Sequence, residues 1–122
     1  MQLRIPPGNV QVPLPFFEAV WTQAEELFRD EPTSRYLGGV CAACRWAAAH
    51  PEAVTPLYRQ PVSATAELIL REDMLATMTY LGSPGGDPSI DRDWAAGVAL
   101  TLGWIRGALQ SSPLSPGRHP ER

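Results

Sequence analysis

Apolar residues recur at helical spacing in four stretches of the chain, each bounded by proline, glycine or a side chain suited to capping. From about Pro15 to Asp30, Phe16, Phe17, Val20, Trp21, Ala24, Leu27 and Phe28 fall in one sector, while Glu18, Gln23, Glu25, Glu26 and Arg29 take the other. This pattern predicts an amphipathic helix with one buried face. Between about Thr33 and His50 the polar side disappears. Tyr36, Leu37, Val40, Cys41 and Cys44 form one face, Gly38, Gly39, Ala42, Ala43 and Ala49 the rest, and Trp46 rises from the small-residue side. Arg45 is the only charged residue past the first turn. A helix apolar nearly all round belongs at the centre of a fold. Thr33 or Ser34 suits its start, and Pro51 closes it because the residue before a proline is pushed out of helical geometry.

The third stretch runs from about Val62 to Leu81. Its main apolar sector holds Leu68, Leu70, Met74, Leu75, Met78 and Leu81, which the pattern predicts as the buried face; Ile69, Ala76 and Tyr80 make a narrower stripe across from it. Ser83-Pro84-Gly85-Gly86 is a turn signal that ends it. The fourth stretch, from about Pro88 to Gln110, has a core stripe of Trp94, Val98, Leu102, Ile105 and Leu109, with Leu100 and Trp104 on the far side. Asp87 suits its cap with Pro88 behind it, and Asp91 and Asp93 complement the helix dipole.

The second and fourth stretches echo one another 58 positions apart. Tyr36 matches Trp94, Gly39 matches Gly97, Val40 matches Val98 and Trp46 matches Trp104. The expectation is an all-α four-helix bundle of two helical hairpins, with the two echoed helices facing each other and the other two covering the outside. The echo is what an internal duplication would leave, although the outer two helices show no such repeat. Small residues at Gly39, Ala43, Gly97 and Thr101 allow the central backbones to approach closely. Residues 1–14, broken by Pro6, Pro7 and Pro13, read as an extended arm ahead of a bundle over 15–110. Residues 111–122, rich in Ser, Pro, Gly and Arg, read as a disordered tail.

Composition narrows the function classes. The 122 residues fit one domain able to bury about two-thirds of its unfolded surface. Net charge is -3, and the ten cations are all arginine, so there is no basic stripe of the kind nucleic acid requires. No run of about 18 apolar residues suggests a membrane span, and the N-terminus does not resemble a signal peptide. A cytoplasmic protein that binds neither nucleic acid nor membrane is expected. Ala-, Pro- and Arg-rich usage with no lysine points to a GC-rich coding genome.

Cys41 and Cys44 form the only motif with chemical promise. A redox Cys-x-x-Cys needs a thiol at a helix N-terminus, where the dipole lowers its pKa, and here both fall mid-helix. As metal ligands they would share a face, but only His50 and His119 remain to join them, and structural zinc wants four ligands. Their counterparts in the echo are Ala99 and Leu102, which favours two small core residues. His50, at a helix end, suits dipole complementarity better than catalysis. The acids Glu67, Glu72 and Asp73, and separately Asp87, Asp91 and Asp93, read as a solvated face and a capping group. Ser83-Pro84-Gly85-Gly86-Asp87 lacks the spacing of a phosphate loop. Arg71 sits inside the main apolar sector of its helix, so it either snorkels or pairs across an interface. Trp46, Trp104, Tyr80 and Leu100 stand outside the principal stripes; they either fill the space between hairpins or form a partner patch.

The pattern aromatic-x-x-Gly-Val-x-x-Ala/Thr-x-x-Trp, in a lysine-free chain, resembles small uncharacterised helical proteins of actinobacteria and their phages or mobile elements. That resemblance implies an accessory role and transfers no catalytic residue. The favoured expectation is a non-catalytic interaction protein, binding a protein partner or itself through Trp46, Trp104, Tyr80, Leu100 and Arg71, with no cofactor. A thiol or metal module on Cys41, Cys44 and His50 is the alternative, and a bundle holding an apolar ligand among Met and Trp side chains is a third.

Overall fold

A computed structural model describes residues 5–115. The chain is all-helical, with α1 at Leu14–Asp30, α2 at Arg35–Ala47, α3 at Ala66–Leu81 and α4 at Arg92–Ile105. It is a four-helix bundle in which α1 packs on α2, α2 on α4, and α4 on α3. The two apolar helices thus sit at the centre and the two amphipathic ones outside, as their patterns predict.

Local chemistry sets the helix limits. Ser34 accepts from Leu37 N (3.2 Å), Thr65 from Leu68 N (3.2 Å) and Asp91 from Trp94 N (3.0 Å), each occupying an amide that a helix start leaves unpaired. The expected starts at Val62 and Pro88 therefore move inward, because the caps Thr65 and Asp91 each lie three residues further on. Asp87, expected to cap α4, instead accepts from the Ser89 amide and hydroxyl within the turn. At the other ends, α2 stops at Ala47 rather than His50, since Ala49 turns left-handed (φ 60°) and Ala49 N bonds back to Trp46 O. Gly82 (φ 73°) closes α3 in the same way, with no Cβ to resist it.

The central seam is reciprocal. A Cβ at Gly39 would lie 2.3 Å from the Trp94 carbonyl oxygen and 3.1 Å from Val98 N. A Cβ at Gly97 would lie 2.2 Å from the Tyr36 carbonyl oxygen and 3.0 Å from Val40 N. Tyr36 is the counterpart of Trp94, and Val40 that of Val98, so each helix meets the other through the same positions. Such mutual contact is the mark of a twofold relation, here within one chain. Only glycine permits backbones this close.

The outer helices add matched anchors. Phe17 and Ala24 are the fully buried pair of α1, and Ile69 and Ala76 hold the corresponding places on α3, again seven residues apart. On α3 the predicted face holds only in part, with Leu68 and Leu75 packed against the core. The narrower stripe goes inward with Asp73 and Thr79, while Leu70, Met74 and Leu81, from the wider apolar sector, stay 40%, 54% and 59% exposed. Polar and backbone contacts fix that roll. Arg106 Nε donates to Asp73 Oδ2 (2.6 Å), Asp87 N donates to Thr79 Oγ1 (2.9 Å), and Gly86 lies against the Thr79 backbone so closely that a Cβ would come within 2.6 Å of it.

The terminal segments pack on the bundle. Asn9, buried in the proline-rich arm, donates its amide to Ala47 O and Ala64 O (both 3.1 Å), and Gln11 N donates to Ile105 O (2.6 Å). The disorder expected of 111–122 does not hold for its first five residues. Pro113 is fully buried and its carbonyl accepts from the Tyr36 hydroxyl (2.6 Å), a partner that composition alone does not reveal. Residues 1–4 and 116–122, with His119, lie outside the described residues.

Candidate functional site

The aromatic candidates divide by burial. Trp46 (1% exposed), Trp104 (6%) and Leu100 (8%) lie in the core, so these three do not form an exposed patch. Trp46 completes its burial by donating its indole N–H to Val62 O (2.7 Å). Tyr80 is half-buried, and its carbonyl accepts from Arg92 at the end of α3. Arg71 is exposed and borders the outward stripe of Leu70 and Met74.

Cys41 and Cys44 are both buried free thiols. Burial pushes the Cys41 thiol up to about 12, with the nearby Glu25 charge adding and Arg45 opposing. Cys44 is raised well above its ordinary value, first by burial and then by Cys41. Both thus stay protonated at neutral pH, the opposite of what a nucleophilic or metal-binding thiol needs. Among the described residues no group of three or more His, Cys, Asp and Glu side chains is placed to hold a metal ion. His50 is exposed beyond the end of α2, where its Nδ1 lies 3.5 Å from Glu52 N.

Two features that the pattern did not flag emerge from the packing. One is the outward stripe of α3. Glu67, Leu70, Met74, Met78 and Leu81 fall within about 40° of one line along the helix, opposite its buried face. Met74 stands at the middle of the helix, Glu67 in its first turn, and the Arg92 guanidinium at its last carbonyls.

The other is a cleft of about 950 Å3 between α1, α2, the connection after α2 and the start of α4. It is lined by Gly38 and Ala42 of α2 and by the rings of Trp21, Phe28 and Trp94, the last packed on Gly38. A polar tie crosses one wall. Arg45 Nε and Nη2 donate to the two oxygens of Glu25 (both 2.7 Å), and the Trp21 indole N–H donates to the same carboxylate (3.0 Å). Burial works against the Glu25 carboxylate, but the hydrogen bonds from Arg45 and Trp21 outweigh it and hold the group below its usual pKa. Across the cleft, Arg59 sits over the Trp94 ring at 5.4 Å from its centroid. The loop that carries Arg59 is closed by Arg59 N to Thr55 O (2.9 Å), Thr55 N to Gln60 O (2.9 Å) and Gln60 N to Thr55 Oγ1 (2.8 Å). It holds Arg59 left-handed at φ 58°, a conformation that costs a non-glycine residue about 1–2 kcal/mol. The Trp94 indole is itself fixed by donating to Pro56 O (2.9 Å).

The helical pattern assigned Trp21, Phe28 and Trp94 to core stripes, where half of each ring does belong. What the pattern lacked was the loop, whose path brings Arg59 to Trp94 from 35 residues away. The chain matches no family model, no curated protein and no solved structure.

Proposed function

We propose that this is a non-catalytic, cytoplasmic interaction protein that self-associates through the outward face of α3. The observation that carries the reading is the roll of that helix. Leu68 and Leu75 of its wider apolar sector pack against the core, while Leu70, Met74 and Leu81 of the same sector are turned outward and left 40–59% exposed. An apolar stripe held outward by specific polar contacts is suited to burial against a partner helix. Charge favours a second copy in antiparallel register. Pairing about Met74 brings Glu67 of each copy toward the C-terminal end of the other α3, where Arg92 supplies the opposite charge. Arg71 then borders the interface, and the partner role expected of the buried Trp46, Trp104 and Leu100 passes to Leu70, Met74 and Leu81. The resemblance to small helical proteins of high-GC hosts and mobile elements accords with an accessory role. No helix among the described residues is long and apolar enough to cross a membrane.

Native mass spectrometry and sedimentation of the full chain test this. A dimer is expected at micromolar concentration, and Met74→Glu with Leu70→Glu should give a folded monomer. A wild-type monomer at these concentrations, or a dimer that survives both substitutions, would overturn the proposal.

A further inference from the structure

We infer that the cleft between α1, α2 and the 48–61 connection binds a small aromatic carboxylic acid, its ring against Trp94 and its carboxylate on the Arg59 guanidinium. The volume of about 950 Å3 lies in the range of small-molecule sites, roughly 300–1,000 Å3. Three rings line the cleft, with the Trp94 ring seated on Gly38, where a Cβ would come within 2.6 Å of it, and Ala42 leaves the floor beside it low. The floor is not forced to be open by the fold. The counterpart of Ala42 on α4 is Leu100, a larger side chain that is buried.

The charge preference follows from which groups are already engaged. Glu25 accepts three hydrogen bonds and has little capacity left to recruit a cation. Arg45 uses only Nε and Nη2 on Glu25, which leaves Nη1 for another acceptor. Arg59 has no carboxylate partner among the described residues, although its backbone is held left-handed and its guanidinium lies against a ring. A planar carboxylate matches the fork of a guanidinium, and an aromatic ring matches the neighbouring indole. Glu26 and Glu52 are exposed at the rim, and Arg29 and His50 sit among them. That mixed rim favours a ligand with its negative charge confined to one end over a polyanion. The inference stands apart from self-association, since the cleft and the outward face of α3 share no residue.

The test uses the full chain with 2-naphthoate as probe, followed by the indole N–H signals in NMR. The indoles of Trp21 and Trp94 line the cleft while those of Trp46 and Trp104 are in the core, so the first two should shift on saturation and the others stay. Uncharged 2-naphthalenemethanol should bind at least about tenfold more weakly, the size of one charge-assisted pair. Arg59→Gly relieves the left-handed backbone and removes the guanidinium, so it should keep or raise the thermal midpoint while weakening 2-naphthoate about tenfold. Arg59→Gln gives the same binding readout if the glycine loosens the loop. Ala42→Leu, which copies the α4 counterpart, should block the site. No saturation at millimolar probe would overturn the inference. So would equal binding of acid and alcohol, or undiminished binding to both Arg59 variants.

Discussion

The α1–α2 and α3–α4 hairpins are built on matched central helices and finish with different outer walls. On the seam the two halves are interchangeable: Gly39 meets the Trp94 carbonyl as Gly97 meets that of Tyr36. Away from the seam they diverge. At the positions where α4 carries Ala96, Leu100 and Gly103, α2 carries Gly38, Ala42 and Arg45. Gly103 lets Leu109 fold in and places Asp73 of α3 close by, with a buried carboxylate tied to Arg106. Arg45 instead reaches out to Glu25 of α1, and a cleft opens over the small floor beside it. One helix framework therefore supports a closed wall or an open one, and a few side-chain volumes decide which.

The seam should respond most strongly to change and should do so equally from both sides. Gly97→Ala sets a Cβ against a carbonyl oxygen that cannot move without its helix, so a loss of about 3 kcal/mol is expected, lowering the thermal midpoint by roughly 10 °C. Gly39→Ala should match it. A large difference between the two, measured by thermal unfolding, would break the twofold reading.

The polar ties should respond unequally. Asp73 is almost completely buried and also accepts from Thr77 Oγ1 (3.1 Å), so Asp73→Ala strands a half-exposed Arg106 and should remove about 2 kcal/mol. The Glu25–Arg45 pair is exposed at 29% and 45% of its side chains, and Glu25→Ala should remove no more than about 1 kcal/mol. Urea unfolding of the two variants separates these cases, and equal losses would mean that the α1 wall is as firmly closed as the α3 wall.

At neutral pH the smallest effect belongs to the thiols, which only the first hairpin has. Both titrate higher in the folded chain than in the unfolded one, where a cysteine lies near about 8.5. Below that value the two states hold the same protons. Above it the unfolded chain loses protons that the folded chain keeps, so stability falls as pH rises from about 9 toward 12. A loss of about 2 kcal/mol per thiol, about 4 kcal/mol for the two, is expected between pH 8 and 10, and Cys41→Ala with Cys44→Ala should abolish that part of the slope. In the wild type both thiols should resist a thiol reagent at pH 8 until the chain unfolds.

Much of this architecture was legible in the residues. The two most apolar stretches announced the central helices, and the repeated aromatic, Gly-Val and Trp positions marked where they meet, because a seam that admits only glycine leaves its spacing in the sequence. Apolar counterparts at Ala99 and Leu102 likewise pointed to Cys41 and Cys44 as core residues. The cleft was not legible. Its aromatic walls share the spacing of core residues, and a loop brings Arg59 to Trp94 by a path that no periodicity encodes.

The sequence by itself determined which segments are helical, which two lie inside and how those two touch, since burial of apolar faces and glycine contacts are local properties of spacing. Tertiary structure alone decided the roll of α3. There a salt bridge to Arg106 and the close approach of Gly86 outweighed the larger apolar area of Leu70, Met74 and Leu81, because a buried carboxylate must keep its partner while an exposed leucine is only mildly unfavourable. It also decided that Trp46 and Trp104 are buried and that Arg59 meets Trp94, because each contact depends on where a distant segment returns.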